Sequence, residues 1–201
     1  MKTRFPIFCL ISVLLVFIWS MIGPYDWPTW VMETLPVMIA APLLLLTRPK
    51  FPLTNLAYGL IAIHAIILIV GAHYTYARVP LFDLIRGEFG LARNSYDGLG
   101  HFAQGFVPAL IGRELLIRTS TLEKGRWMFA LLVLSCLGIS AIYELLEWAA
   151  AAGAGEGATE FLGTQGDPWD TQKDMALAGI GAIFSLLLLS KWHDRQLTEI
   201  K

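Results

Sequence analysis

Ionisable side chains recur at helical spacing near one end of three apolar segments in the second half of the chain. Asp97 and His101 belong to one segment, Glu144 and Glu147 to the next, and Asp174 to the last. Side chains three or four residues apart share one face of a helix. Ionisable groups inside apolar helices are costly and usually serve a function. We therefore expect these five residues to form a functional site.

The same three faces carry small residues. Small residues mark faces at which membrane helices pack closely, so these faces are expected to point into a bundle. The polar groups would then meet at similar depth. The three stripes are Asp97, His101, Gly105, Ala109 and Gly112; Ser140, Glu144, Glu147 and Ala151; and Asp174, Ala178, Gly181 and Ser185. Three more polar residues lie beside or one turn before these faces and join Asp97 as candidate ligand-binding residues, namely Gln104, Tyr143 and Asp170.

Several chemistries fit such a cluster, and the sequence leaves them open. A pair such as Glu147 and His101 can act as general acid and base, with Glu144 and Asp174 as further catalytic candidates. The same four residues are candidate ligands of a divalent metal ion, whose bound water would serve hydrolysis. No compact metal motif such as His-Glu-x-x-His is present, so a metal cofactor remains unknown. The third chemistry is cation binding or proton relay in a transporter.

A purely structural role is the remaining alternative. Asp97 can cap the fourth apolar helix and Asp170 or Asp174 the sixth, because negative charge is favourable at a helix N-terminus. Arg93 or Lys173 can neutralise neighbouring carboxylates. Four other ionisable residues are left outside the site as packing, interfacial or snorkelling groups, with His64 interpreted as a satisfied packing histidine: His64, His73, Arg113 and Glu114.

The composition predicts an all-α, polytopic membrane helix bundle. Of 201 residues, 56% are hydrophobic and only 15% are charged, against about 25% charged in soluble domains. The formal net charge of −1 gives no reason to expect nucleic-acid binding, so the expected partner is the lipid bilayer. A single integral membrane domain is expected over residues 1–201. A transmembrane helix needs about 20 apolar residues, and six segments qualify, at 5–22, 30–46, 53–76, 98–117, 127–150 and 173–190.

Two segments are ambiguous at this stage. Pro36 and Pro42 would kink the second helix or make it re-entrant. Residues 80–94 carry apolar side chains at helical spacing, which fits either a short helix lying in the outer membrane interface or an ordered loop, with Gly87 and Gly90 as interruptions.

The basic residues predict that both termini lie in the cytoplasm. Cytoplasmic loops of membrane proteins carry an excess of Lys and Arg. With this orientation the inner side holds eleven of the fifteen, namely Lys2, Arg4, Arg48, Lys50, Arg113, Arg118, Lys124, Arg126, Lys191, Arg195 and Lys201. The candidate site would then face the periplasm. The first apolar run is preceded by Lys2 and Arg4 but lacks a small-x-small cleavage site, so we expect an uncleaved helix.

Three blocks carry a resemblance to a known family: YDGLGHFAQGFVPALIGRELL, SAIYELLEWAAA and GTQGDPWDTQKDMALAGIGA. They resemble the YjdF-type inner-membrane proteins of bacteria, a family without established function. More distantly the layout is similar to VanZ-like membrane proteins, to which Asp97, His101, Glu144 and Asp174 would correspond. The connection at 153–166 is longer than the VanZ-like one. The resemblance implies an inner-membrane, multi-pass protein.

The expected function is therefore that of a bacterial inner-membrane protein with a periplasm-facing acidic and histidine pocket. This pocket would bind or act on an envelope lipid or a lipid-linked ligand. The alternative is a small transporter or ion-binding membrane protein. Whether the protein is an enzyme stays open at this stage.

Overall fold

The computed structural model describes residues 4–154 and 167–200, and within these ranges the chain is helical without strands. The helices are α1 (Phe5–Ser20), α2 (Trp27–Thr47), α3 (Asn55–His73), α4 (Pro80–Phe89), α5 (Tyr96–Thr119), α6 (Arg126–Ala154) and α7 (Asp170–Leu197). This confirms the predicted all-α class. Most of the predicted 153–166 connection lies outside the described residues.

Four of these helices are long and apolar enough to cross a membrane, namely α2, α3, α6 and α7. The first helix is apolar but has 16 residues. The fifth helix has 24 residues. It is less apolar than the four candidate spans because polar side chains such as His101 and Gln104 lie within it. A membrane-spanning helical protein is thus confirmed, whereas spans beyond these four remain a prediction.

Helix α2 begins at a side-chain cap and continues through both of its prolines. The Asp26 carboxylate accepts hydrogen bonds from the backbone N–H of Thr29 at 2.8 Å and from its hydroxyl at 2.7 Å. Such caps satisfy donors that a helix start leaves unpaired. The helix then runs without interruption past Pro36 and Pro42 to Thr47. The structure therefore has a continuous helix here and not a re-entrant segment.

Residues 80–89 form a helix, α4, and not an irregular loop. Gly87 lies inside this helix and does not interrupt it, while Gly90 ends it with a φ of +61°, a left-handed conformation that glycine adopts without strain. The apolar side chains of Leu81, Leu84 and Phe89 are 62%, 73% and 73% exposed. A location of α4 in the outer membrane interface remains a prediction.

Helices α5 and α7 form the central pair of the bundle. A Cβ atom added to Gly105 would lie 1.7 Å from the carbonyl oxygen of Ala178, and one added to Gly181 would lie 2.1 Å from that of Phe102. The two backbones therefore touch where the small-residue stripes predicted close packing. Ala178 itself is fully buried.

The other helices are arranged around this pair. Helix α6 packs against both α5 and α7. Helix α3 packs against α5 and also contacts α1 and α2. The contact between α6 and the central pair is apolar and includes Met128, Leu132 and Cys136 of α6 with Ala109 and Ala182. Because α5, α6 and α7 contact one another, polar groups at one end of these helices are held close together.

Candidate functional site

His101 lies near the start of α5 and faces carboxylates from two helices. Its Nε2 atom is 3.6 Å from Asp97 Oδ1, one turn earlier, and 3.6 Å from Glu144 Oε1 on α6. Its Nδ1 atom is 3.1 Å from the amide oxygen of Gln104. Since an amide oxygen only accepts hydrogen bonds, Nδ1 carries the proton and Nε2 is left to face the carboxylates. The ring is 5% exposed.

Asp174 brings the third helix to the same place. Single ligand atoms of Asp97, His101 and Asp174 all lie within 4.8 Å of one another. Asp174 is 2% exposed and Glu144 is 8% exposed. Among the described residues, no hydrogen-bond partner contacts the buried atoms Asp174 Oδ1 and Glu144 Oε1. The structure thus brings together four of the candidate residues from α5, α6 and α7.

Glu147 and Tyr143 lie around this group on α6. Glu147 is one turn beyond Glu144, is half-buried, and has Glu33, Asp97, Glu144 and Asp174 as charged neighbours. It is not part of the close group formed by Asp97, His101 and Asp174. The Tyr143 ring packs edge-on against His101, with ring centroids 6.2 Å apart.

Glu33 of α2 is a site residue that the sequence analysis missed. The Tyr143 hydroxyl donates a hydrogen bond to Glu33 Oε2 at 2.5 Å, and Glu33 is 8% exposed. Glu33 is the one charged residue between Asp26 and Arg48. A lone carboxylate in an apolar helix is itself a signal of function, and this signal was available in the sequence.

Asp170 has a different environment from the other acids. It is the first residue of α7 and forms an ion pair with Arg93, whose guanidinium also lies 3.7 Å from Asp167. Asp167 in turn pairs with Lys173 at 2.5 Å. Hydrogen bonds from Lys173 and from the backbone N–H of Trp169 lower the pKa of the Asp167 carboxyl. Asp170 is therefore charge-paired at the rim, as the neutralisation alternative predicted.

The capping alternative fits the observed helix starts only in part. The N-cap residues of α5 and α7 are Ser95 and Trp169, and neither makes a side-chain capping bond. Asp97 and Asp170 lie in the first turns, where a carboxylate is favourable beside the helix N-terminus. Asp174 lies one turn further along. The favourable N-terminal location expected for Asp97 and Asp170 is therefore observed, whereas neither they nor Asp174 is the N-cap residue.

His101, Glu144 and Asp174 are buried and do not line the apolar crevice between the helices. That crevice, of about 430 Å³, lies between α1, α2, α3 and α5 and is bordered by residues such as Val37 and Ala65. His64 also lines it, and the buried Nε2 atom of His64 has no hydrogen-bond partner among the described residues. The expectation of a satisfied packing histidine was therefore wrong. None of the polar candidate residues borders this crevice.

A second polar cluster closes the opposite end of the bundle. The Glu114 carboxylate, fully buried, accepts hydrogen bonds from the Thr54 hydroxyl at 2.8 Å and from Arg118 at 2.8 Å, and it lies 3.0 Å from His193 Nε2. Arg113 contacts His193 Nδ1 at 3.0 Å and Asp194 at 2.7 Å. Arg113 and Glu114 therefore pair with neighbours, one of the two roles expected for them. This cluster ties α3, α5 and α7 together.

The apolar helices and the polar groups gathered at one end define a polytopic membrane protein. The chain belongs to the family described as "Predicted membrane protein (DUF2238)", whose model matches residues 5–195. It is 51% identical over 188 residues to the inner membrane protein YjdF of Escherichia coli (strain K12). The aligned residues cover 93% of this chain and 90% of YjdF. No solved structure matches the chain. The predicted resemblance to the YjdF-type family is confirmed, and the chain is a bacterial inner-membrane protein with several apolar helices.

Proposed function

We propose that the protein crosses the inner membrane six times, with both termini in the cytoplasm and the His101 cluster at the periplasmic surface. The end of the bundle that holds this cluster is formed by the starts of α2, α5 and α7 and the ends of α1, α3 and α6. Six alternating spans require this arrangement. The opposite end carries basic residues, among them Arg113, Arg118 and Lys124, which favours a cytoplasmic location for it.

Reporter fusions test this topology. Alkaline phosphatase, which is active only outside the cytoplasm, should be inactive when fused after Lys201 and active when fused after Leu91. A fluorescent protein fused after Lys201 should fluoresce. Phosphatase activity of the fusion after Lys201 would contradict the proposed orientation.

The function that the site supports best is binding of the polar head group of an envelope lipid or lipid-linked ligand, with acid–base chemistry on it. The observation that carries this proposal is the convergence of an imidazole and several carboxylates from α5, α6 and α7 at one end of the bundle. In the proposed topology, the cluster would lie near the level of the lipid head groups. The Nε2 lone pair of His101 can accept a proton from a bound ligand, and half-buried Glu147 extends the site toward the surface.

Native mass spectrometry of the protein in detergent tests lipid binding. We expect lipid adducts on the wild type and their loss in a His101→Ala, Glu147→Ala double variant. A His64→Ala, Glu199→Ala double variant, which changes the same residue types outside the cluster, should keep the adducts. Equal adducts on all three proteins would refute the lipid proposal.

Acid–base chemistry is tested separately in cells. Overproduction of the wild type should shift the composition of the envelope lipids. Overproduction of Glu147→Gln, which keeps the shape of the side chain but cannot ionise, should leave that composition unchanged although the variant inserts and folds. An equal shift with both proteins would contradict a catalytic role of Glu147.

A transporter is the second candidate, favoured by the crowding of carboxylates, which suits a cation. Two features oppose it. The backbones of α5 and α7 touch at Gly105 and Gly181, below the cluster. The opposite end is closed by the Glu114 and His193 network. Proton or ion flux in vesicles that disappears with Asp174→Asn would favour the transporter over the binding site.

A further inference from the structure

We propose that Asp97, His101 and Asp174, with Glu144 as a fourth donor, form a binding site for one divalent transition-metal ion, with Zn²⁺ as the best match. This inference deepens the proposed function, because it assigns a ligand to the same cluster. It rests on four observations: the spacing of the donor atoms, the buried acceptors without partners, the orientation of the imidazole, and the balance of charge.

The donor atoms have the separations that a metal ion requires. His101 Nε2 is 3.6 Å from both Asp97 Oδ1 and Glu144 Oε1, beyond the usual N–H···O range of about 2.7–3.2 Å. Two donors that are each about 2.1 Å from a tetrahedral zinc ion lie about 3.4 Å from one another. Ligand atoms of Asp97, His101 and Asp174 lie within 4.8 Å of one another. These separations are compatible with one ion bound by Asp97, His101 and Asp174, with Glu144 close to the imidazole.

Two buried acceptors face this cluster without a hydrogen-bond partner. They are Asp174 Oδ1 and Glu144 Oε1, and the statement holds for the residues that the structure describes. Asp174 is 2% exposed and Glu144 is 8% exposed, so bulk water does not solvate them freely. Buried polar atoms in folded proteins nearly always have partners. A cation between the two carboxylates would supply one to each.

The imidazole of His101 is oriented as a metal ligand is. The Gln104 amide oxygen lies 3.1 Å from Nδ1 and accepts its hydrogen. Nε2 then carries the lone pair, and that lone pair faces Asp97 and Glu144. Two ionised carboxylates and a lone pair repel one another unless a cation or a proton lies between them. Metal-bound histidines characteristically donate their other ring N–H to an acceptor of this kind.

The charges of the cluster also call for a cation. Asp97, Glu144, Glu147 and Asp174 are mutual neighbours, while Arg93 forms an ion pair with Asp170 at the rim. A doubly charged ion would balance the donors without a bulky ligand, which agrees with the burial of His101, Glu144 and Asp174. A nitrogen donor among carboxylates favours Zn²⁺ or Mn²⁺ over Ca²⁺ and Mg²⁺, which prefer oxygen alone.

Metal titration of the full-length protein in detergent tests the proposal. After removal of metals with EDTA, we expect the wild type to bind about one Zn²⁺ per chain by elemental analysis and calorimetry. Mn²⁺ should bind more weakly, and Mg²⁺ and Ca²⁺ more weakly still. The Co²⁺-loaded protein should show the visible absorption of a tetrahedral nitrogen and oxygen site. His101→Ala and Asp174→Asn should weaken Zn²⁺ binding at least tenfold.

Matched variants separate a metal site from a folding defect. His64→Ala and Asp167→Asn change the same residue types outside the donor group and should bind Zn²⁺ like the wild type. Gln104→Ala keeps all four donors but loses the orienting contact, so it should weaken Zn²⁺ binding by about 10- to 100-fold. Each variant must elute as a single species in gel filtration with the retention volume of the wild type.

The result can overturn the metal site and the lipid site independently. Zn²⁺ binding to the wild type no stronger than to His101→Ala would refute the metal site. Lipid adducts that survive EDTA treatment, together with absent Zn²⁺ binding, would leave the proposed lipid site intact. Stoichiometric Zn²⁺ binding without lipid adducts would support the metal site and refute the lipid ligand.

Discussion

At the scale of single residues, the hydrogen bond between Tyr143 and Glu33 connects α6 and α2, two helices that make few other contacts with one another. Glu33 is buried in α2, and the Tyr143 hydroxyl of α6 donates to it at 2.5 Å. A carboxylate in such surroundings is tolerated only with a hydrogen-bond donor at hand. The tyrosine therefore both orients Glu33 and keeps it at the edge of the His101 cluster.

Removing this hydroxyl should destabilise the protein measurably. Tyr143→Phe removes the 2.5 Å hydrogen bond of a buried carboxylate to which Tyr76 also donates, so we expect a loss of about 1–3 kcal/mol in the free energy of unfolding. Thermal or denaturant unfolding in detergent measures it. Tyr25→Phe is the matched control, because Tyr25 is 60% exposed and its ring, which packs under the Arg78 guanidinium at 4.0 Å, would remain. Equal stability of both variants and the wild type would contradict the role assigned to Tyr143.

Helical spacing predicted one part of this site and missed another, for a physical reason. The positions of Asp97, His101, Glu144 and Asp174 follow from helical spacing and from small residues that force close packing. Glu33 lies on a helix that reaches the cluster through a long side chain and not through a small-residue stripe, so spacing gave no hint of it. The pairing of Asp170 with Arg93 depends on where the segment before α5 runs in space, which a linear pattern does not contain.

At the scale of helices, the α5 and α7 contact is what places the donor groups. Gly105 and Gly181 allow the two backbones to touch, and His101 and Asp174 lie toward the starts of these same helices. The close contact of the backbones therefore sets the separation of the two side chains. A larger residue at either glycine would push apart the helices and, with them, the ligand atoms.

We expect Gly105→Ala to separate these helices. Its Cβ would lie 1.7 Å from the Ala178 carbonyl oxygen, a backbone atom that cannot rotate away. Overpacking of this kind typically costs about 1–3 kcal/mol or more, and Zn²⁺ binding should weaken together with stability. Unfolding in detergent and metal titration measure the two effects.

The matched control for this substitution lies in α4. Gly87 is an exposed helical glycine whose added Cβ would meet nothing within 4 Å. Gly87→Ala should therefore leave stability unchanged or raise it by about 0.5–1 kcal/mol, because alanine favours the helix. If Gly105→Ala were as stable as Gly87→Ala, the two helices would not be in contact at this point.

The helices themselves could largely be predicted, and their ends could not. All six apolar runs form helices, because hydrophobic runs of this length have few other stable conformations in a membrane. Helix α7 nevertheless extends to Leu197, past the apolar run, since polar residues such as Lys191 and Arg195 continue a helix as readily as apolar ones. The choice between helix and loop for α4 was open because glycine disfavours a helix interior by about 1 kcal/mol, a cost that the structure accepts at Gly87.

At the scale of the whole molecule, the two ends of the bundle are built on opposite principles. At one end, the buried Glu114 carboxylate is surrounded by donors from Thr54, Arg118 and His193. At the other end, Asp174 and Glu144 hold buried oxygens that lack partners among the described residues. Paired buried charges serve to fix an arrangement of helices, whereas unpaired ones indicate a ligand. The asymmetry therefore distinguishes a structural end from the end that we propose to be functional.

This separation predicts that the two ends respond differently to the loss of one carboxylate. Glu114→Ala would leave the charge of Arg118 and the donors of Thr54 and His193 without their shared acceptor, so we expect a loss of about 3–5 kcal/mol in the free energy of unfolding. Glu123→Ala, at an exposed position on the same side, should change stability little. Asp174→Asn should abolish Zn²⁺ binding at a smaller cost in stability than Glu114→Ala, since it removes charge from a crowded group of acids. A larger loss of stability from Asp174→Asn than from Glu114→Ala, measured in the same detergent, would reverse the assignment of the two ends.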